Sequence, residues 1–136
     1  MTICNDSAVL RKVVLSLADF YESVPVSDFS RTALERGDVV DHVKAKAQQY
    51  VLAACLRDAG VELSYLEEPD PTRHWAGYAR DFALNSHDWV VIFRFKYAER
   101  KGEEIVGQKQ LCRMGYRIFG RVERGASEGV DVRYLN

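Results

Sequence analysis

Three histidines, His42, His74 and His87, are the residues of this chain best suited by type to proton transfer. Imidazole is the one side chain whose ordinary pKa lies close to neutral pH. His74, Tyr78 and Asp81 follow one another at helical spacing, one and two turns apart. On a helix they share a face, and a His–Tyr–Asp face could move protons. The same segment would carry Trp75, Tyr78 and Phe82 as apolar anchors, which leaves His74 in solvent. His42 stands four residues after Asp38 and beside Asp41, the spacing of a surface ion pair on a helix. His87 and Asp88 are adjacent. Neighbours in an extended chain point to opposite faces, so this pair makes no hydrogen-bonded dyad there. Asn85 to Asp88 reads as a turn.

Other chemistry is not signalled. The chain has no His-x-x-x-His or His-Glu-x-x-His for a metal, no glycine-rich phosphate loop and no Gly-x-Ser-x-Gly elbow. Cys4, Cys55 and Cys112 are odd in number and far apart, without a Cys-x-x-Cys. That argues against a disulfide framework and for a reducing compartment. Cys112 lies beside Arg113, and a cation lowers a thiol pKa. Alternation nevertheless puts Cys112 on an apolar strand face, where it is expected to be buried and inert. No catalytic residue, metal or cofactor is therefore assigned from sequence.

The remaining candidate is charge. Over Trp89 to Tyr97 every odd position is bulky and apolar, the period of a half-buried strand. Further on, Cys112, Met114, Tyr116, Ile118 and Val122 hold even positions, while Arg113, Arg117 and Arg121 hold odd ones. If both strands share a sheet, one face is a core wall and the other carries Arg94, Lys96, Arg113, Arg117 and Arg121, with Lys109 as an outlier. Successive arginines would stand roughly 13 Å apart. Net charge over all 136 residues is −1, yet residues 94–124 hold nine Lys or Arg against four acids. Such polarity can steer an acidic partner, and the guanidinium fork suits carboxylate or phosphate. Arg and Lys also keep exposed sheets from pairing edge to edge.

The elements that must position these residues follow from periodicity. Asn5, Asp6 or Ser7 caps a helix carrying Leu10, Val13, Val14, Leu17, Phe20, Tyr21 and Val24, stopped by Pro25. Ser27 to Ser30 is a linker, and Thr32 to Glu35 a short turn or helix closed by Gly37. Asp38 caps the best helix, with Val40, Val43, Ala47, Tyr50, Val51 and Ala54 as its stripe and Gly60 as its stop. Val61 to Tyr65 alternates as a short strand. Pro71 opens a helix ending near Asn85. After the Trp89 strand come a hairpin loop at Glu99–Glu103, long curved strands to Arg124, a second hairpin loop at Gly125–Gly129, and a last strand with Val130, Val132 and Tyr134.

The predicted fold is α+β, with N-terminal helices packed on one face of a curved, mainly antiparallel sheet formed by the C-terminal half. It is read as one domain over residues 1–136. The chain is helical over 5–60 and strand-rich over 61–136, with a short helix near 71–84. This order resembles the cone-shaped NTF2-like class. The resemblance implies a pocket between helices and bent sheet, with His74, Tyr78 or Asp81 near its mouth. No signal peptide or membrane-length apolar run is visible, so a cytoplasmic protein is expected.

The leading functional expectation is a small non-catalytic binding protein, of inhibitor, antagonist or regulator type. It would dock its basic face on an acidic protein surface or on RNA or DNA. An NTF2-like ligand binder or enzyme is the second reading. The third is a homodimeric interaction subunit with Tyr50, Tyr65, Trp75, Tyr78 and Phe82 at its interface.

Overall fold

The first regular element is a strand where helical spacing predicts a helix. The computed structural model describes residues 9–17, 19–67, 70–74, 81–86 and 89–126. Strand β1 spans Lys12–Ser16 and pairs in parallel with β2, Glu62–Leu66, with Val13 opposite Leu63 and Leu15 opposite Tyr65. Val13, Val14 and Leu15 are consecutive and apolar, and two of them are β-branched. A strand covered on both faces needs such a run, and a helical stripe can contain one, so periodicity alone does not separate them.

Between these strands come two helices. Helix α1, Asp28–Glu35, starts where Ser27 and Ser30 cap each other's backbone N–H reciprocally. The predicted linker is therefore the helix start. Helix α2 spans His42–Asp58, and Asp41, not Asp38, caps it through Lys44 N–H at 3.0 Å. Its predicted stripe faces outward, with Val43, Ala47, Tyr50, Val51 and Ala54 all exposed. The side turned to the fold carries Ala45, Gln49, buried Ala53 and Leu56. Small residues let the helix approach closely, and the Gln49 amide donates to the Ser16 carbonyl.

The second sheet has the order β3-β4-β5. Strand β3, Ala83–Ser86, runs antiparallel to β4, Trp89–Ile92, which runs parallel to β5, Arg117–Arg121, with an irregularity at Val90 and Val91. Ala83 to Asn85 is thus strand, not the end of a helix, and Asn85 and Ser86 are paired rather than in a turn. The Trp89 strand stops at Ile92, five residues early. A short 3-10 turn, Ala98–Arg100, then leads into helix α3, Glu103–Arg113.

This helix replaces both the predicted Glu99–Glu103 hairpin loop and the strand after it. Glu103, Gly107 and Leu111 recur every four residues and are the buried positions of α3. Gly107 rests on the Phe82 ring so closely that no Cβ would fit. Only β5 keeps the predicted alternation, with Arg117, Phe119 and Arg121 outward. The second hairpin loop lies mostly, and the last strand wholly, outside the described residues.

Among the described residues, three helices and two small sheets, one parallel and one mixed, replace the expected curved antiparallel sheet and the NTF2-like order. The core lies where the sheets and α3 meet. Leu66, Phe82, Val90, Ile92, Phe95 and Leu111 form it, with Val14, Ala83, Met114, Tyr116 and Ile118 packed against it. Burial of each large side chain contributes about 1.5–3 kcal/mol.

Candidate functional site

The carboxyl ends of β1 and β2 meet the start of α3, and ionisable side chains gather there. Open α/β sheets bind ligands beyond this end of their strands. Arg100 is 7 % exposed. Its Nε and Nη2 donate to Glu103 at 3.2 and 2.9 Å, and its Nη1 donates to Asp81 Oδ2 at 2.7 Å. The guanidinium carbon stands 4.0 Å from the centre of the Phe95 ring, a cation–π distance. Two carboxylates and an aromatic face thus enclose one guanidinium. Burial works against its charge, but hydrogen bonds and charge from Glu103 and Asp81 outweigh it and push the Arg100 pKa up. Of the three, Asp81 is the most open, at 15 %.

Around this cluster run the segments that follow β1 and β2. Asp70 Oδ1 accepts from Thr72 N–H and Oγ1 at 3.0 and 2.7 Å, and its Oδ2 accepts from Arg73 Nε at 3.2 Å. Bonds from the Thr72 hydroxyl and N–H, and then from Arg73, hold the Asp70 carboxyl below its ordinary pKa. His74 Nδ1 lies 3.1 Å from the Phe20 carbonyl and 3.4 Å from Glu22 Oε2. The contact to a carbonyl fits a protonated Nδ1, which leaves Nε2 with a lone pair in the neutral ring.

On the far side of Leu66 and Phe82 the chemistry changes. There an apolar cavity of about 250 Å³ opens beside the amino-terminal half of β1. Val13, Val14, Ala83, Val90, Leu111 and Tyr116 are among its walls, and among the described residues Lys12 is its one charged lining residue. Lys12 donates to Glu62 Oε1 at 3.0 Å, and this hydrogen bond and the Glu62 charge raise its pKa.

The sequence-derived candidates are dispersed. Arg94 follows β4 and donates to the Glu123 carbonyl at 2.8 Å. Lys96 lies in a bend, and Arg113 is in the last turn of α3. Arg117 and Arg121 share the outer face of β5 with exposed Phe119, which packs on Trp89 with ring centres 5.1 Å apart. Arg121 also donates to the Gln108 side chain. The expected stripe of five is therefore divided among separate elements. Cys112 is an exposed thiol on α3, because the strand alternation that buried it does not exist there.

Of the predicted proton-transfer face, Asp81 and His74 both reach the polar end, but not on one helix. Tyr78, Trp75, His87 and Asp88 lie outside the described residues. Sequence reasoning passed over Arg100, Glu103 and Arg73. The i,i+3 spacing of Arg100 and Glu103 was available as a signal. Among the described residues no group of three His, Cys, Asp or Glu side chains suits a metal, and no helix is long and apolar enough to cross a membrane.

No known protein family and no curated protein matches the chain by sequence. Solved structures do match in fold. AgrE, as its C264A mutant with L-arginine, superposes with a TM-score of 0.73 at 18% identity, over 88% of this chain and 17% of that one. The N-terminal domain of ArgZ bound to product, an arginine dihydrolase from the ornithine-ammonia cycle in cyanobacteria, gives 0.74 at 16%, over 89% and 43%. A dimethylarginine dimethylaminohydrolase adduct gives 0.71 at 18%, over 93% and 46%. The chain thus spans less than half of each.

The solved structures that share this fold include an arginine dihydrolase and a dimethylarginine dimethylaminohydrolase, both enzymes, and AgrE holding L-arginine. That overturns the expectation of a non-catalytic inhibitor or regulator docking a basic face on protein or nucleic acid. It equally overturns the purely structural dimeric subunit.

Proposed function

We propose that this chain provides part of the substrate site of a hydrolase acting on a guanidino compound of the arginine class. The observation that carries the proposal is Asp81, a carboxylate 15 % exposed and held through Oδ2 by the buried Arg100–Glu103 pair, in a fold shared with arginine-processing hydrolases. Paired carboxylates recognise a planar guanidinium through parallel N–H···O bonds. In this reading Arg100 and Glu103 fix Asp81, and Asp81, the most open of the three, takes the substrate's guanidinium. His74, oriented by Phe20 and Glu22, is the proton carrier of this end. Hydrolysis adds water across one guanidino C–N bond. The water oxygen bonds to carbon, and the departing amine leaves with a proton. The exposed thiols of Cys55 and Cys112 support a cytoplasmic setting.

The test is a calorimetric titration of the full chain with L-arginine and with dimethylarginine, repeated with Asp81→Asn. The expected result is saturable binding that weakens about tenfold or more in the variant. Absence of binding to both compounds would overturn the proposal, as would equal binding by the variant.

A further inference from the structure

The connection from β2 to β3 ends at Asp81, and it is fastened before it arrives. Asp70 and Arg73 hold each other, and Arg73 reaches across the fold. Its Nη1 lies 3.5 Å from the Lys101 carbonyl. Its guanidinium covers Gly102 so closely that a Cβ there would stand 2.9 Å from both terminal nitrogens. Gly102 has φ 98°, caps α3, and donates its N–H to Glu104 at 2.8 Å. Only glycine adopts this backbone at little cost and also leaves the guanidinium room. The next residue along the connection, His74, is tied to Phe20 and Glu22 after β1. Two successive side chains thus pin one loop to the segments on either side of it. Lys101 and Gly102 are the two residues between Arg100 and Glu103, so whatever fixes them fixes the guanidinium and one of its carboxylates.

We infer that Arg73 is a positioning residue: seated on Gly102, it sets the Arg100–Glu103 segment and through it the angle at which Asp81 is presented. The inference rests on the reading of Asp81 as the guanidinium-binding carboxylate. It assigns Arg73 no contact with substrate. A side chain that fastens a connection close to a functional group narrows the positions that group can take.

The experiment follows the Arg100 Nε–H by NMR in the full chain. The proton is buried and bonded to Glu103, so it exchanges slowly while the cluster is closed. Arg73→Ala is expected to speed its exchange about tenfold while α2 amides keep their rates. Arg73→Lys keeps the charge without the planar fork and is expected to recover only part of the protection. Gly102→Ala brings backbone strain and a clash with Arg73, so its effect should be smaller once Arg73 is already alanine. Unchanged Arg100 exchange in Arg73→Ala would overturn the inference. So would an equal effect of Gly102→Ala in both backgrounds. L-Arginine affinity is read separately. If the wild-type chain binds none yet the exchange coupling is present, the substrate reading fails and the positioning role stands. If it binds and Arg73→Ala changes neither exchange nor affinity, the positioning role fails alone.

Discussion

The two sides of Phe82 are built on opposite principles. Beyond the carboxyl ends of β1 and β2, Arg100, Glu103 and Asp81 are buried or nearly so, and each is satisfied by a charged partner. Beside the amino-terminal half of β1 lies an apolar cavity at whose wall Lys12 is engaged in an exposed pair with Glu62. A buried ion cluster contributes little net stability over an apolar core of equal volume, because desolvation offsets attraction. What it supplies is a fixed geometry for charge. The apolar side gives the fold its burial, and the polar side holds directional groups at one spot. Phe82 serves both, since it lines the cavity and carries α3 through Gly107.

The sharpest way to break this contrast is to remove the guanidinium. Arg100→Met leaves Asp81 and Glu103 without their shared partner, and the loss should be about 3–5 kcal/mol in chemical unfolding. Phe82→Ala removes the partition itself. It should cost about 3–5 kcal/mol and enlarge the cavity, measurable as increased binding of an apolar dye. Gly107→Ala gains helix propensity but drives a methyl group into the Phe82 ring. Overpacking should win, with a net loss of about 1–3 kcal/mol in the same assay.

Much of this contrast was not legible in the sequence, for identifiable reasons. The existence of β2 was read correctly from the alternation of Val61, Leu63 and Tyr65 with polar residues, although its buried residue, Leu66, lies on the other face. The 118–121 part of β5 was read correctly for the same reason. β1 was missed because its Val13-Val14-Leu15 run, half-buried on both faces, fits a helix stripe equally well. α3 was missed because Gly107 and Gly115 suggested bends in a strand. Gly107 is instead a contact with Phe82, and Gly115, at φ 91°, follows the helix end. Neither role shows until the tertiary partner is known. For the site, His74 and Asp81 were singled out by residue type. Arg100 was placed in a hairpin loop and counted in the basic surplus of residues 94–124, because burial of a charge cannot be read from composition.

Smaller effects sharpen the contrast from the other direction. Lys12→Met should leave the unfolding midpoint unchanged within error, since a solvent-exposed pair at the cavity mouth contributes little. Acid should act first on the polar side. Asp70 has a folded pKa lowered from 3.8, so its contribution is present above that value and is lost as pH falls through the lowered one. Hydrogen exchange near residues 70–74 and 101–102 should therefore rise at low pH before exchange in β4 does.

If Asp81, Glu103 and Phe95 are built to hold a planar guanidinium, a free one should replace the Arg100 side chain. The full chain carrying Arg100→Ala is titrated with millimolar methylguanidinium, with methylammonium as the control cation, and its thermal midpoint is followed. A saturable rise is expected with methylguanidinium and none with methylammonium, because only the planar fork matches both carboxylates and the ring face. Equal responses to the two cations, or none to either, would contradict it.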